Sequence, residues 1–144
     1  MTDDLSVYVK RSGSDYDLSG LLSDPDACTR TVAGFMGMFD REIFDMIVCC
    51  GKLSPIVSGA LAGKLGKPVV MAKDMSGGAI SSGMKVVVIC DALRGGDCVL
   101  SIIRSLEGLG AKVIRVGFIA ELTECGARKS KVLRKYPFEA LVTL

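Results

Sequence analysis

The sequence predicts an α/β fold: a doubly wound, mostly parallel sheet flanked by helices. Three observations carry this. Residues 85–120, KVVVICDALRGGDCVLSIIRSLEGLGAKVIRVGFIA, open with the β-branched run Val86-Val87-Val88-Ile89, which reads as a strand buried on both faces. After a short polar loop holding Asp91, Arg94, Gly95, Gly96 and Asp97, the residues Val99, Ile102, Ile103, Leu106 and Leu109 recur at helical spacing, with Gly110 placed to end the helix. A second apolar strand follows at Val113 to Ile119, which completes a βαβ unit. Its loop lies at the carboxyl end of a strand and the start of a helix. Free backbone N–H groups and the helix dipole favour anions there.

The earlier elements follow the same alternation. Residues 1 to 16 are ambiguous, with Ser6–Lys10 open to reading as a short edge strand. Leu18, Leu21 and Leu22 supply apolar cover. Asp24-Pro25 has the form of an N-cap followed by proline at the first helical position, so a helix is expected from about Pro25 to Asp40. It would bury Val32, Phe35, Met36 and Phe39, with Gly34 and Gly37 permitting close packing on the sheet. Phe44 to Cys50 is a central strand. The loop Gly51-Lys52-Leu53-Ser54-Pro55 leads into a helix carrying Ile56, Val57, Leu61 and Leu65, with small residues Gly59, Ala60, Ala62 and Gly63 for close approach and Gly66 as its stop. Pro68 to Ala72 is the next strand, and Lys73 to Gly83 a polar loop. After the βαβ unit, Glu121 to Lys135 reads as polar and part helical, and Phe138 to Leu144 as a closing strand.

Bulk composition narrows the function. At 144 residues, 49% hydrophobic and 24% charged, a single folded domain spanning residues 1–144 is expected. No apolar run is long enough to span a bilayer. The opening MTDDLSVYVKRSGSD has no apolar signal core, which argues against secretion. A net charge of +2 argues against a dedicated nucleic-acid surface, and the tract Ala127 to Lys135 reads as a solvated face. There is no histidine, so histidine acid–base and triad chemistry are excluded. Six cysteines form no CxxC pair, so no metal site is expected and reduced thiols in a cytoplasmic or nuclear protein fit.

The residues themselves carry a family likeness. DLSGLLSDP (Asp17 to Pro25), FDMIVCC with its loop and SGALAGKLGKP (Ser58 to Pro68), KVVVICDALRGGDC, AELTECGARK and YPFEALV resemble, over nearly the whole chain, the type I phosphoribosyltransferases, and most closely the adenine phosphoribosyltransferases. The resemblance implies that fold with its hood and flexible loop reduced. It also implies a dimer, and Mg²⁺ carried on phosphoribosyl pyrophosphate if the protein is active.

The matching motifs depart from the family's pattern. The family has two acids on the strand and a loop ending Thr-Gly-Gly-Thr, which together hold ribose hydroxyls and the 5′-phosphate. Here Cys90 stands for the first acid, Asp91 for the second, and Arg94, Gly95, Gly96, Asp97 and Cys98 cover the phosphate loop. Both threonines are absent, and a carboxylate at Asp97 would repel phosphate. The pyrophosphate loop, acidic and arginine-bearing in the family, is Gly51-Lys52-Leu53-Ser54. Lys73 stands where an arginine is usual. The aromatic–arginine pair of the base site corresponds to Asp15 and Tyr16. The catalytic lid is reduced to Asp74 to Gly83, too short to close.

Several residues admit two readings. Asp91 is a ribose or metal-water ligand, or an N-cap-type loop residue. Arg94 and Lys52 grip phosphate, or are solvated loop cations. Cys90 and Cys98 are redox-sensitive thiols beside a helix start, or small filler, which is the commoner fate at a strand end; Cys49-Cys50 is strand packing. Phosphoribosyl transfer depends on positioning and water exclusion, and losing one such donor costs about 10²–10³ in rate. The expectation is a catalytically degenerate adenine phosphoribosyltransferase-like protein, a pseudoenzyme relative of purine salvage with no confident catalytic residue. It would act as a homodimer, or as a heterodimer with a homologue or other protein, or as a nucleotide or phosphate binder. The alternatives are an active purine phosphoribosyltransferase forming AMP and diphosphate, and a ligand-free dimerising scaffold paired with an active homologue.

Overall fold

The computed structural model describes residues 5–13 and 15–144. A five-stranded sheet is built from β3 (Met46–Cys50), β4 (Val69–Met71), β5 (Lys85–Leu93), β6 (Lys112–Glu121) and β7 (Phe138–Thr143). Its order is β4-β3-β5-β6-β7, and every neighbouring pair is parallel. From β3 the chain first winds outward to β4, then crosses back to β5 and winds the other way. The order therefore reverses between β3 and β5, where open α/β sheets bind ligands.

The helices cover both faces, as near-continuous apolar strands require. α2 (Pro25–Phe39) and α3 (Ser54–Leu65) pack one face, where Phe35, Phe39, Ile47, Leu61, Val87, Ile89 and Ile119 form one core cluster. α4 (Asp97–Gly108) packs the other, where Val48, Val88, Cys90, Ile103, Leu106 and Phe118 form the second. The alternation of side chains along a strand decides the face. Val87 and Ile89 go to α2 and α3, while Val86, Val88 and Cys90 go to α4.

The expected helix start holds: Asp24 accepts a hydrogen bond from the Ala27 N–H at 3.0 Å, with Pro25 in the first turn. α3 ends at Gly66 in the left-handed region, φ +65°. Of the two α2 glycines only Gly34 serves close packing, against Leu141; a side chain at Gly37 would meet open space. Gly59 and Gly63 also face open space, so the small residues of α3 do not bring it close to a neighbour through those positions. Close approach comes instead at Gly117 of β6, where a Cβ would lie 2.8 Å from Met38 Sδ and 2.9 Å from Phe35 Cε1.

Two expectations are corrected. Leu5–Tyr8 is a 3₁₀ turn rather than part of an edge strand. The strand in that region is β1 (Lys10–Ser12), which forms an antiparallel hairpin with β2 (Asp15–Asp17), and a short helix α1 (Gly20–Ser23) follows. β5 runs on to Leu93, so Asp91 belongs to the strand and the loop proper is only Arg94–Gly96. Residues 121–135 are part helical as expected, in the form of three 3₁₀ turns. The stretch after β4 is a 3₁₀ turn, Ala72–Gly77, and Met75 and Ile80 pack on the α4-side core, which holds the reduced lid against the body. Among the described residues no helix is long and apolar enough to cross a membrane.

Candidate functional site

At the reversal between β3 and β5 lies a cavity of about 450 Å³. Its wall is made by the ends of β3 and β5 and the start of α4, with Phe118 of β6. Asp91, Arg94, Gly95, Gly96, Asp97, Cys98 and Gly51 all line it. Lys52, Leu53, Ser54, Lys73, Asp15 and Tyr16 do not. The phosphate-loop positions thus form one wall of the cavity, Gly51 alone joins them from the Gly51–Ser54 loop, and the remaining positions lie outside the lining.

Asp91 explains part of the difference. Its carboxylate points toward α3, where it accepts from the backbone N–H of Lys52 at 2.9 Å, of Leu53 at 3.0 Å and of Ser54 at 2.7 Å. It also accepts from the Ser54 hydroxyl. α3 has no cap of its own, since the N-cap Leu53 carries no acceptor. The first N–H groups of a helix are left without intrahelical partners and attract negative charge. Asp91 satisfies them from the neighbouring strand. Gly51, at φ +123°, permits this, because a Cβ there would collide with the Asp91 carboxylate. Both earlier readings of Asp91 are thus modified: it is a cap, but of a helix some forty residues earlier in the chain.

Arg94 is likewise engaged. Its guanidinium pairs with Asp15 on the β1–β2 hairpin at 2.5 Å, both side chains being more than half exposed. The Arg94 hydrogen bond, followed by one from the Tyr16 N–H, holds the Asp15 carboxyl below the usual carboxylate range. Tyr16 itself lies under Arg11, whose guanidinium is 5.5 Å from the ring centre. Lys52 and Lys73 are exposed and form no ion pair among the described residues.

What remains free is the start of α4. It has no side-chain cap, its N-cap is Gly96 at φ +97°, and its first residues lie in the cavity wall. Asp97 there is exposed. Sequence reasoning missed Cys50, Leu93, Val99 and Phe118 as lining. Side-chain parity was the available signal: with Cys90 facing α4, its register partner Cys50 must do so too. It also missed Glu121, buried at the end of β6 and gripped by Arg128 at 2.8–3.1 Å. Arg128 lies 4.8 Å over Phe138, which packs edge-on against Phe118 and so backs the cavity.

The parallel sheet, with a cavity at its switch point and a small N-terminal hairpin beside it, is the architecture that the type I phosphoribosyltransferases share. The sequence relatives are adenine phosphoribosyltransferases, and the resemblance noted from the motifs holds in sequence and in fold. The enzyme of that name from Thermosipho melanesiensis is 28% identical over 150 aligned positions, covering 88% of this chain and 85% of the relative. That from Caldicellulosiruptor saccharolyticus is 27% identical, covering 92% and 88%. The crystal structure of adenine phosphoribosyltransferase from Thermoanaerobacter pseudethanolicus superposes with a TM-score of 0.84 at 19% identity, over 97% of this chain and 98% of that one. No family model matches the chain.

Proposed function

We propose that this adenine phosphoribosyltransferase-like protein is catalytically degenerate and binds a nucleotide or sugar monophosphate at the start of α4. One observation carries the reading: the Asp91 carboxylate occupies the N–H groups at the start of α3. By the family resemblance, that loop would receive the diphosphate of phosphoribosyl pyrophosphate. A diphosphate would have to displace an internal carboxylate held by four donors, and the displaced charge would then oppose it. The α4 start keeps uncapped N–H groups and Arg94 nearby, enough for one phosphate.

The donor set also fits Mg²⁺ poorly. Asp91 is committed to α3, and no group of three metal-ligating side chains exists among the described residues. No step of this reading runs through the metal. With the lid packed down and the Thr-Gly-Gly-Thr cradle altered, the groups that would exclude water and stabilise the departing diphosphate are missing. A homodimer, or a heterodimer with a homologue, accords with the same reading.

The relatives' shared name favours the rival, an active transferase making AMP and diphosphate. Two measurements separate the readings. Calorimetry should give binding of AMP and ribose 5-phosphate, with phosphoribosyl pyrophosphate no tighter than either. Incubation with adenine, phosphoribosyl pyrophosphate and Mg²⁺ should release no diphosphate above background. Turnover would establish the enzyme. Absence of heat with every ligand at millimolar concentration would leave a dimerising scaffold.

A further inference from the structure

The segment 127–135 carries Arg128, Lys129, Lys131, Arg134 and Lys135 and no acid. Its formal charge is +5 while the whole chain is +2, so the remaining residues sum to −3. The fold seats this segment instead of leaving it a loose tail. It holds two 3₁₀ turns, Ala127–Lys129 and Leu133–Lys135. Leu133 is fully buried in the α4-side core, and a Cβ at Gly96 would lie 3.0 Å from its Cδ2. Near the other end Arg128 grips Glu121. The block thus sits beside the start of α4 and outside the cavity lining. Lys129, Lys131, Arg134 and Lys135 are exposed and form no ion pair or side-chain hydrogen bond among the described residues. Two acids of this region are already engaged: Glu121 by Arg128, and Glu107 by the Tyr136 hydroxyl at 2.9 Å. Val132, between the cations, is 41% exposed.

We propose that Lys129, Lys131, Arg134 and Lys135, with Val132 among them, form a docking surface for an acidic segment of a partner protein. Unneutralised like charges this close in the chain repel one another, and an opposite charge brought by a partner relieves that cost. The buried Leu133 and the Arg128–Glu121 grip hold the backbone in place beforehand, so little ordering is lost on binding. Among anionic partners the segment favours a protein. Single-stranded nucleic acid is held by aromatic side chains that stack on its bases, and the aromatic adjoining the segment, Tyr136, is half-buried with its hydroxyl on Glu107. A duplex or a membrane presents a broad negative surface, which the −3 on the rest of the chain opposes. A short acidic segment with one apolar residue matches both the unpaired cations and Val132.

The test uses the whole chain and, as probe, a fluorescein-labelled short peptide of glutamate and aspartate with one central leucine. Fluorescence anisotropy at low ionic strength should show saturable binding that weakens as salt rises. Lys129→Glu combined with Lys131→Glu should weaken it about tenfold or more, since each reversal turns an attraction into a repulsion. Val132→Ser should weaken it several-fold, and Lys64→Glu, an exposed change on α3, should leave it unchanged. All four side chains are exposed, so each variant should keep the wild-type Tm, measured alongside. Absence of peptide binding overturns the proposal. A loss with Lys64→Glu equal to that of the double reversal also overturns it, because the attraction would then be to overall charge. Tighter binding of a single-stranded oligonucleotide, or of vesicles of anionic lipid, than of the peptide overturns the choice of a protein partner. None of these outcomes depends on whether AMP binds at the start of α4.

Discussion

Asp91 accepts a hydrogen bond from the backbone N–H of Ser54 at 2.7 Å, and a second from the Ser54 hydroxyl. The end of β5 is thereby turned onto α3, a helix that precedes it in the chain. That contact locks β5 to α3, and it makes the loop Gly51–Ser54 a filled anion site.

Removing the carboxylate should therefore have two opposite signs. Asp91→Ala strips the α3 start of its acceptor and should lower stability by about 2 kcal/mol, the scale of hydrogen bonds to a charged group. It also empties the nest. Inorganic phosphate or diphosphate should then raise the Tm of the variant more than that of the wild type. Equal shifts in both proteins would mean that the α3 start does not take an anion.

Arg94 and Asp15 form an exposed pair, so its contribution to stability is small. Its effect on ligand binding should be larger. Asp15→Ala frees the guanidinium and removes a negative charge near the cavity, so AMP should bind several-fold tighter, and Arg94→Ala should bind it more weakly. Because the folded Asp15 carboxyl is held low, the pair persists at neutral pH and is lost as pH falls below the ordinary carboxylate value of 3.8. Titration of the Asp15 carboxyl carbon by NMR, in wild type and in Arg94→Ala, checks the direction: the variant should titrate at higher pH.

Glu121 is buried and Arg128 is its partner, with the arginine itself largely exposed. Losing the arginine is thus the damaging change, since it strands a buried carboxylate. Arg128→Ala should cost about 3 kcal/mol in urea unfolding, and Arg128→Ala combined with Glu121→Gln should recover much of it. A double variant as unstable as the single one would show that the stranded charge is not the cause.

The elements were legible where the signal is local. The Asp24-Pro25 start of α2, the Gly66 stop of α3 and the β-branched run of β5 each lie within a few residues of what determines them. The first residues were harder, because Leu5–Tyr8 is too short for any period to declare itself. The site was legible in place but not in wiring. Asp91 is held by groups 37 to 39 residues away, and Arg94 by one 79 residues away. No pattern in sequence separates a carboxylate that waits for a ligand from one that already has a partner. The cysteines show the same limit: Cys49 and Cys50 look alike in sequence, yet strand parity sends one to α3 and the other to the cavity.

Gly117 is a packing position rather than a turn. An alanine there would press on Met38, Phe35 and Phe39 at once, including the stacked Phe35–Phe39 rings. Gly117→Ala should cost about 1–3 kcal/mol, as overpacking does in a filled core. Gly37→Ala, facing open space within the same helix α2, should be neutral or slightly stabilising. Chemical denaturation of the two side by side makes the comparison.

Burial pushes the Cys90 thiol far up, with the neighbouring Cys50, Cys98 and Asp91 adding to it. A group whose pKa is raised by folding contributes stability below its unfolded value and loses that contribution as pH rises above it. The unfolded chain begins to ionise this thiol near the ordinary cysteine value of 9.0, while the folded chain does not. Wild-type stability should therefore fall as pH rises past about 9. Cys90→Ala, though less stable at neutral pH through lost packing, should fall less steeply over the same range. Urea midpoints measured from neutral pH into that alkaline window give both slopes; parallel slopes would assign the alkaline loss to groups other than Cys90.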